Sequence, residues 1–114
     1  MRANVTEDSQ GRRTVAEPCP IERGMRILGG KWTGSILWHL RDGPVRLNDL
    51  ARMIGGASKK MIADRLRHLQ AHGLVTRKVE DIAPVSVRYS LMPQGARALV
   101  ALEGVRMWSE EGDS

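Results

Sequence analysis

At 114 residues the chain has room for one domain with a modest core, not for two independent ones or for the deep pocket of most enzymes. Its 18 Lys and Arg against 13 Asp and Glu leave a net charge of +5 and a pI near 10.1, which favours an anionic partner, nucleic acid ahead of a membrane surface. One cysteine excludes an intrachain disulfide and a cysteine-rich structural zinc site, and no apolar run approaches the roughly 20 residues of a membrane span.

Residues 1–17, "MRANVTEDSQGRRTVAE", are polar and aperiodic, lack the apolar stretch of a secretory signal and read as a flexible tail. The expected location is the cytoplasm. An ordered domain is expected over 18–110, with a short flexible C-terminus at 111–114. It opens on "PIERGMRIL", which places Ile21, Met25 and Leu28 on one face of a short helix, with Pro20 at the first position, where a missing amide proton is harmless. "GGKW" breaks and restarts the chain. Trp32, Ile36, Leu37 and Leu40 then form the apolar face of a second helix, which "RDGP" closes. "VRL" is a short extended link. Asn48 can cap a third helix running to Ile54, with Leu50, Met53 and Ile54 apolar.

After the "GGAS" turn, a helix from Ser58 to about His72 puts Ile62, Leu66 and Leu69 on a buried stripe, with Ser58 as its N-cap. Lys60, Ala63, Asp64 and Arg67 share the opposite arc, with Lys59 at its margin. Cations in a first turn oppose the helix dipole, an arrangement that suits an anion facing that end; alone, a solvated basic face accounts for it better. Two helices across a glycine turn form a helix-turn-helix. Gly73 ends the second, and "LVTRKVE" and "SVRYSL" alternate as two strands around "DIAPV". A last helix from Pro93 to Trp108 carries Ala98, Leu99, Leu102 and Val105, to be packed on its own core or offered to a second subunit. The expected fold is mainly α with a small β-hairpin, a winged helix-turn-helix dimerising through its terminal helices.

The motifs "CP" at Cys19, "GGKW" at Gly29, "DGP" at Asp42, "S-x-K-M" at Ser58, "RL" at Arg65, "GLV-x-R" at Gly73 and "V-x-YSL" at Val87 stand in one order and spacing. Together they resemble the HxlR family of bacterial winged-helix transcription regulators, from about Pro18 to Trp108. The resemblance implies a homodimer on a pseudo-palindromic operator of double-stranded DNA, its two wings reaching adjacent minor grooves or phosphates. It also implies departures. Relatives often have threonine and glutamine where this chain has Ala63 and Asp64, a basic residue at Ser86 and an acidic one at Arg88, so the operator cannot be borrowed from them.

The DNA-facing set on the helix is therefore Ser58, Lys59, Lys60, Ala63, Asp64 and Arg67, with Lys60 and Arg67 assigned to bases and Lys59 to phosphate; Lys78, Ser86 and Arg88 form the wing set. Asp64 can accept from cytosine N4 or pair with Lys60 or His68, and Arg65 can pack its stem while its head reaches a phosphate or an acidic neighbour. Trp32 is assigned to the core. Ile21, Met25, Leu28, Leu99, Leu102, Val105 and Trp108 are assigned to a dimer interface, and Trp38 also falls off its stripe. His68 and His72 lack the companions of a metal site and suit the negative end of a helix. Cys19 opens a helix, where the dipole and free amides favour an anion, and Arg23 lies a turn away; it is a candidate redox or electrophile sensor or, equally, a small capping residue. A protein-interaction module would call for an acidic or apolar second helix, and an enzyme using Cys19 would need a base that no nearby histidine supplies. No cofactor or metal is expected, the chain is read as a repressor rather than an enzyme, and a small-molecule effector is left open.

Overall fold

The computed structural model describes residues 5–7, 13–15, 19–81 and 83–112. Two short strands, β1 (Val5–Glu7) and β2 (Arg13–Val15), pair antiparallel with Val5 opposite Val15. An aperiodic tail is expected there. Four of the six residues are β-branched Val or Thr, a preference for extended backbone that a search for helical or alternating periodicity over three residues does not register. The rest of the expected tail, like residues 113 and 114 of the expected flexible C-terminus, lies outside the described residues.

Helix α1 spans Pro20–Leu28, with Cys19 as its N-cap, and α2 spans Thr33–His39. Trp32 does not begin α2 as a helical residue. It holds φ 77°, a conformation rare for a residue with a Cβ, and lays its ring beside Gly56. Strand β3 (Val45–Arg46) runs straight into α3 (Leu47–Ile54). The "VRL" link is thus a third strand, and Arg46, not Asn48, occupies the cap of α3, because chain held extended by pairing with β5 turns into the helix two residues sooner. Gly55 and Gly56, both at positive φ, make the turn to α4 (Lys59–Ala71). Strands β4 (Val75–Glu80) and β5 (Ser86–Leu91) form a hairpin, and α5 runs from Pro93 to Gly112, two residues past the expected domain end.

The three-stranded antiparallel sheet has the order β3–β5–β4. Ile36, Leu37 and Leu40 of α2, Leu50 of α3, Ile62, Leu66 and Leu69 of α4, and Leu74 and Val75 form the buried core. Each such side chain contributes about 1.5–3 kcal/mol by leaving water. Trp32 packs against this core, half-buried. Gly95 fixes where α5 crosses the start of β4: a Cβ there would stand 2.1 Å from the Leu74 carbonyl oxygen. No helix among the described residues is long and apolar enough to cross a membrane.

Candidate nucleic-acid interface

The stripe of Ile62, Leu66 and Leu69, each fully buried, fixes the rotation of α4 about its axis. Ser58 Oγ accepts from the Met61 amide at 3.1 Å, so the hydroxyl closes the helix start. One flank of α4 is held by the link between α1 and α2. Arg65 Nε donates to the Lys31 carbonyl at 3.1 Å, and the guanidinium lies against Gly30; Arg65 is thus tied to backbone and not to an acidic side chain among the described residues. Farther along, His68 Nε2 lies 3.0 Å from the Ile27 carbonyl, with the His72 ring edge-on to it at 4.7 Å.

What these anchors leave open is the basic arc. Lys59 and Lys60 are exposed and make no ion pair among the described residues. Ala63 is half-buried between the arc and the core. Asp64 pairs with Arg67, not with Lys60 or His68. The i, i+3 geometry brings the long Arg67 side chain back over Asp64, and most of Arg67 stays in solvent. The Arg67 guanidinium is thus engaged by a carboxylate, whereas the two lysines have no ion-pair partner among the described residues.

In the hairpin the register brings together what sequence separation hides. Arg46 stands opposite Arg88 on β5, and Arg88 stands opposite Lys78 on β4, so three cations form one row across three strands. Like charges directly opposite disfavour a sheet. Glu80 Oε1 lies 3.7 Å from Arg88 Nε, a loose ion pair that leaves the Nε–H without an acceptor among the described residues, and the buried Ser86 hydroxyl likewise has no partner among them. Lys78 is exposed and Ser86 and Arg88 are half-buried. Arg46 was missed by local pattern because its place in the row exists only once β3 pairs with β5. No group of His, Cys, Asp and Glu that could hold a metal occurs among the described residues.

Away from the basic side, Cys19 is half-buried, and its Sγ accepts from the Glu22 amide at 3.4 Å. Of the residues assigned to a dimer interface, Ile21 and Met25 on α1 and Val105 and Trp108 on α5 are exposed, Trp108 by 74%. Leu28, Leu99 and Leu102 are instead half-buried against the core of the same chain. Trp38 is stacked beneath the Arg41 guanidinium at 4.0 Å and lines a groove of about 380 Å³ with Gly34, Ser35, Leu99, Leu102 and Val105. The Arg106 guanidinium donates hydrogen bonds to the Glu103 and Glu110 carboxylates, which raise its pKa above the ordinary arginine value and hold it at the rim of that groove.

Comparison with known proteins places this geometry. The family model described as HxlR-like helix-turn-helix matches residues 27–112. The chain is 34% identical over 94 residues to the HTH-type transcriptional regulator YybR of Bacillus subtilis, covering 82% of this chain and 75% of YybR. Among solved structures it is similar to the redox regulator HypR in its reduced form (TM-score 0.79, 32% identity, 83% of this chain and 94% of HypR). It is also similar to the reduced form of the transcriptional regulator YodB from B. subtilis (TM-score 0.74, 32% identity, 83% and 94% covered).

Proposed function

The chain belongs to the HxlR-like helix-turn-helix family of transcriptional regulators, a non-enzymatic class, and from that premise we propose a homodimeric repressor that occupies a pseudo-palindromic site on double-stranded DNA. The observation that supports this most directly is the pair of lysines at the start of α4 with no ion-pair partner among the described residues, on a helix whose other faces are fixed by core aliphatics and by bonds to α1 and the α1–α2 link. The N-terminal end of such a helix enters the major groove, where Lys60 reaches base acceptors and Lys59 a phosphate. Arg67 joins them by leaving Asp64, and Asp64 is then free to accept from a cytosine amine. The wing, with Lys78, Ser86 and Arg88, lies along the flanking backbone.

Two such modules about a two-fold axis are what a palindromic site requires, and the exposed apolar side chains of α1 and α5 are the surface proposed to join them. Cys19 caps the first of those helices and is the proposed point of redox control, as a neighbour described as a redox regulator supports. In the oxidised state the Cys19 thiols of two protomers lose two protons and two electrons to a diazene or quinone oxidant and join as a disulfide; a mixed disulfide with a small thiol is the alternative product. Either bond at the helix start changes the spacing of the two α4 helices.

One titration tests both parts. Duplex fragments selected from genomic DNA are bound by wild type and by Cys19→Ser at rising salt, each reduced and after diamide. Affinity should fall steeply with salt, because each neutralised phosphate releases counterions. Diamide should weaken wild type alone. Equal binding at low and high salt removes the DNA reading; equal loss in both proteins, or in neither, removes Cys19 as the sensor.

A further inference from the structure

Helix α1 exposes Ile21 and Met25, and none of its residues is fully buried. Of its apolar side chains only Ile27 and Leu28, in the last turn, lean half-buried on the core. A nine-residue helix has little stability of its own and takes its place from what it packs against. Contact through two aliphatic side chains at one end leaves the rest of α1 free to swing. Two polar contacts from α4 act at that same end.

The chain from Ile27 to Trp32 runs along one flank of α4 in the opposite sense. Trp32, held at φ 77°, lays its ring beside Gly56 in the turn that enters α4, where an added Cβ would stand 3.5 Å from the ring. One residue back, the Lys31 carbonyl accepts from Arg65 Nε at 3.1 Å, and Gly30, at φ 92°, leaves room for the guanidinium. At the end of α1 the Ile27 carbonyl lies 3.0 Å from His68 Nε2. A carbonyl only accepts, so this ring nitrogen carries the proton and donates. Carbonyls in the last turn of a helix lack partners within it, and a donor placed there also meets the negative end of the dipole. Arg65 and His68 stand at i, i+3 on α4, between its core stripe and its basic arc.

We propose that Arg65 and His68 are positioning residues that clamp α1 to α4, so that the helix offered to a second subunit and the helix offered to DNA move as one body. Half-site spacing is then set through these two side chains, neither of which touches DNA in this role. The clamp stands on contacts within one chain; its effect on spacing rests on the dimeric, DNA-binding function proposed above. One base pair added between half-sites moves each module's target by about 3.4 Å and by about a tenth of a turn. A rigid joint resists that displacement, and a loose one follows it.

Two arms test this with the same proteins: wild type, Arg65→Met and His68→Leu, which remove the donors, and Arg65→Lys and His68→Gln, which keep one. In the first arm, without DNA, spin labels are placed at Glu22→Cys and Gln70→Cys in a Cys19→Ser background and diluted with unlabelled protein. Pulsed electron resonance should give one narrow α1 to α4 distance for wild type and the donor-keeping pair, and a widened distribution for the other two. Equal widths in all five, or widening that the donor-keeping pair shares, overturns the clamp, whatever happens to the melting temperature. In the second arm, operator duplexes carry the half-sites at the preferred spacing or with one base pair inserted. The insertion should cost wild type about tenfold or more in affinity and the donorless variants no more than about threefold, with binding to a single half-site unchanged. Equal spacing preference in all five overturns the spacing role. Failure of wild type to bind any duplex removes the proposed function, and the first arm then decides the clamp by itself.

Discussion

Helices α4 and α5 spend their apolar residues differently. All three stripe residues of α4 are fully buried, its start is closed by Ser58 and its flank by Arg65 and His68, so what it presents outward is mostly charge, with Met61 the one large apolar side chain it exposes. In α5, 20 residues long, only Gly95 is buried; Ala98, Leu99 and Leu102 lean on the core while Val100, Val105, Met107 and Trp108 face solvent. A helix whose hydrophobic side is used up within its own chain has only its polar face left for a partner, and on α4 that face suits a polyanion. A helix with apolar area left over suits a second protein surface.

The contrast breaks most visibly at Leu66. Leu66→Ala opens a cavity in the buried core and should cost about 2–5 kcal/mol, read as a lower midpoint in thermal or urea unfolding. DNA binding should fall with it, since α4 then has no fixed rotation from which to present Lys59 and Lys60. A cost below about 1 kcal/mol would mean that the stripe does not seat the helix.

Trp108 sharpens the other side. It is exposed in the single chain, so Trp108→Ala should change the stability of the protomer by no more than about 0.5 kcal/mol. At the centre of a proposed interface the same change should cost about 2 kcal/mol of association, roughly a 30-fold weaker dimer in a sedimentation series. Unchanged sedimentation, or a monomer with full operator affinity, would return this face to solvent.

The same division explains which features were legible in the linear sequence. The stripe of α4, its Ser58 cap, the cap-and-proline start of α1 and the two strands of the hairpin all depend on neighbours within a few residues, and they stand where spacing puts them. Arg46 depends on pairing with Arg88, 42 residues on, and no local pattern marks it as more than an extended link. Asp64 had three partners within helical reach, Lys60, Arg67 and His68; His68 was drawn off to the Ile27 carbonyl by the packing of α1, which spacing cannot register. The periodicity of α5 also could not say how its apolar face is divided. Leu99 and Leu102 point to the core and Val105 and Trp108 do not, because Gly95 brings the helix onto Leu74 at one end and its far end runs past the core.

The smallest effect is the most discriminating, because its two readouts move in opposite directions. Lys59 is the first residue of α4, where the unpaired amides and the dipole make a cation unfavourable, and no ion pair among the described residues compensates it. Lys59→Ala removes that repulsion and introduces the residue with the best helix propensity, so the folded chain should gain a few tenths of a kcal/mol. If the lysine instead serves a phosphate, the same variant should bind every duplex more weakly by a similar factor, with the salt slope reduced by about 1. An ordinary solvated residue would give the stability gain with no change in binding. A packing residue would give a loss of stability. Only a lysine kept at a disfavoured position for the sake of an anion gives gain in one measurement and loss in the other, which makes Lys59 the position where the charge left over on α4 is separated from charge that is merely exposed.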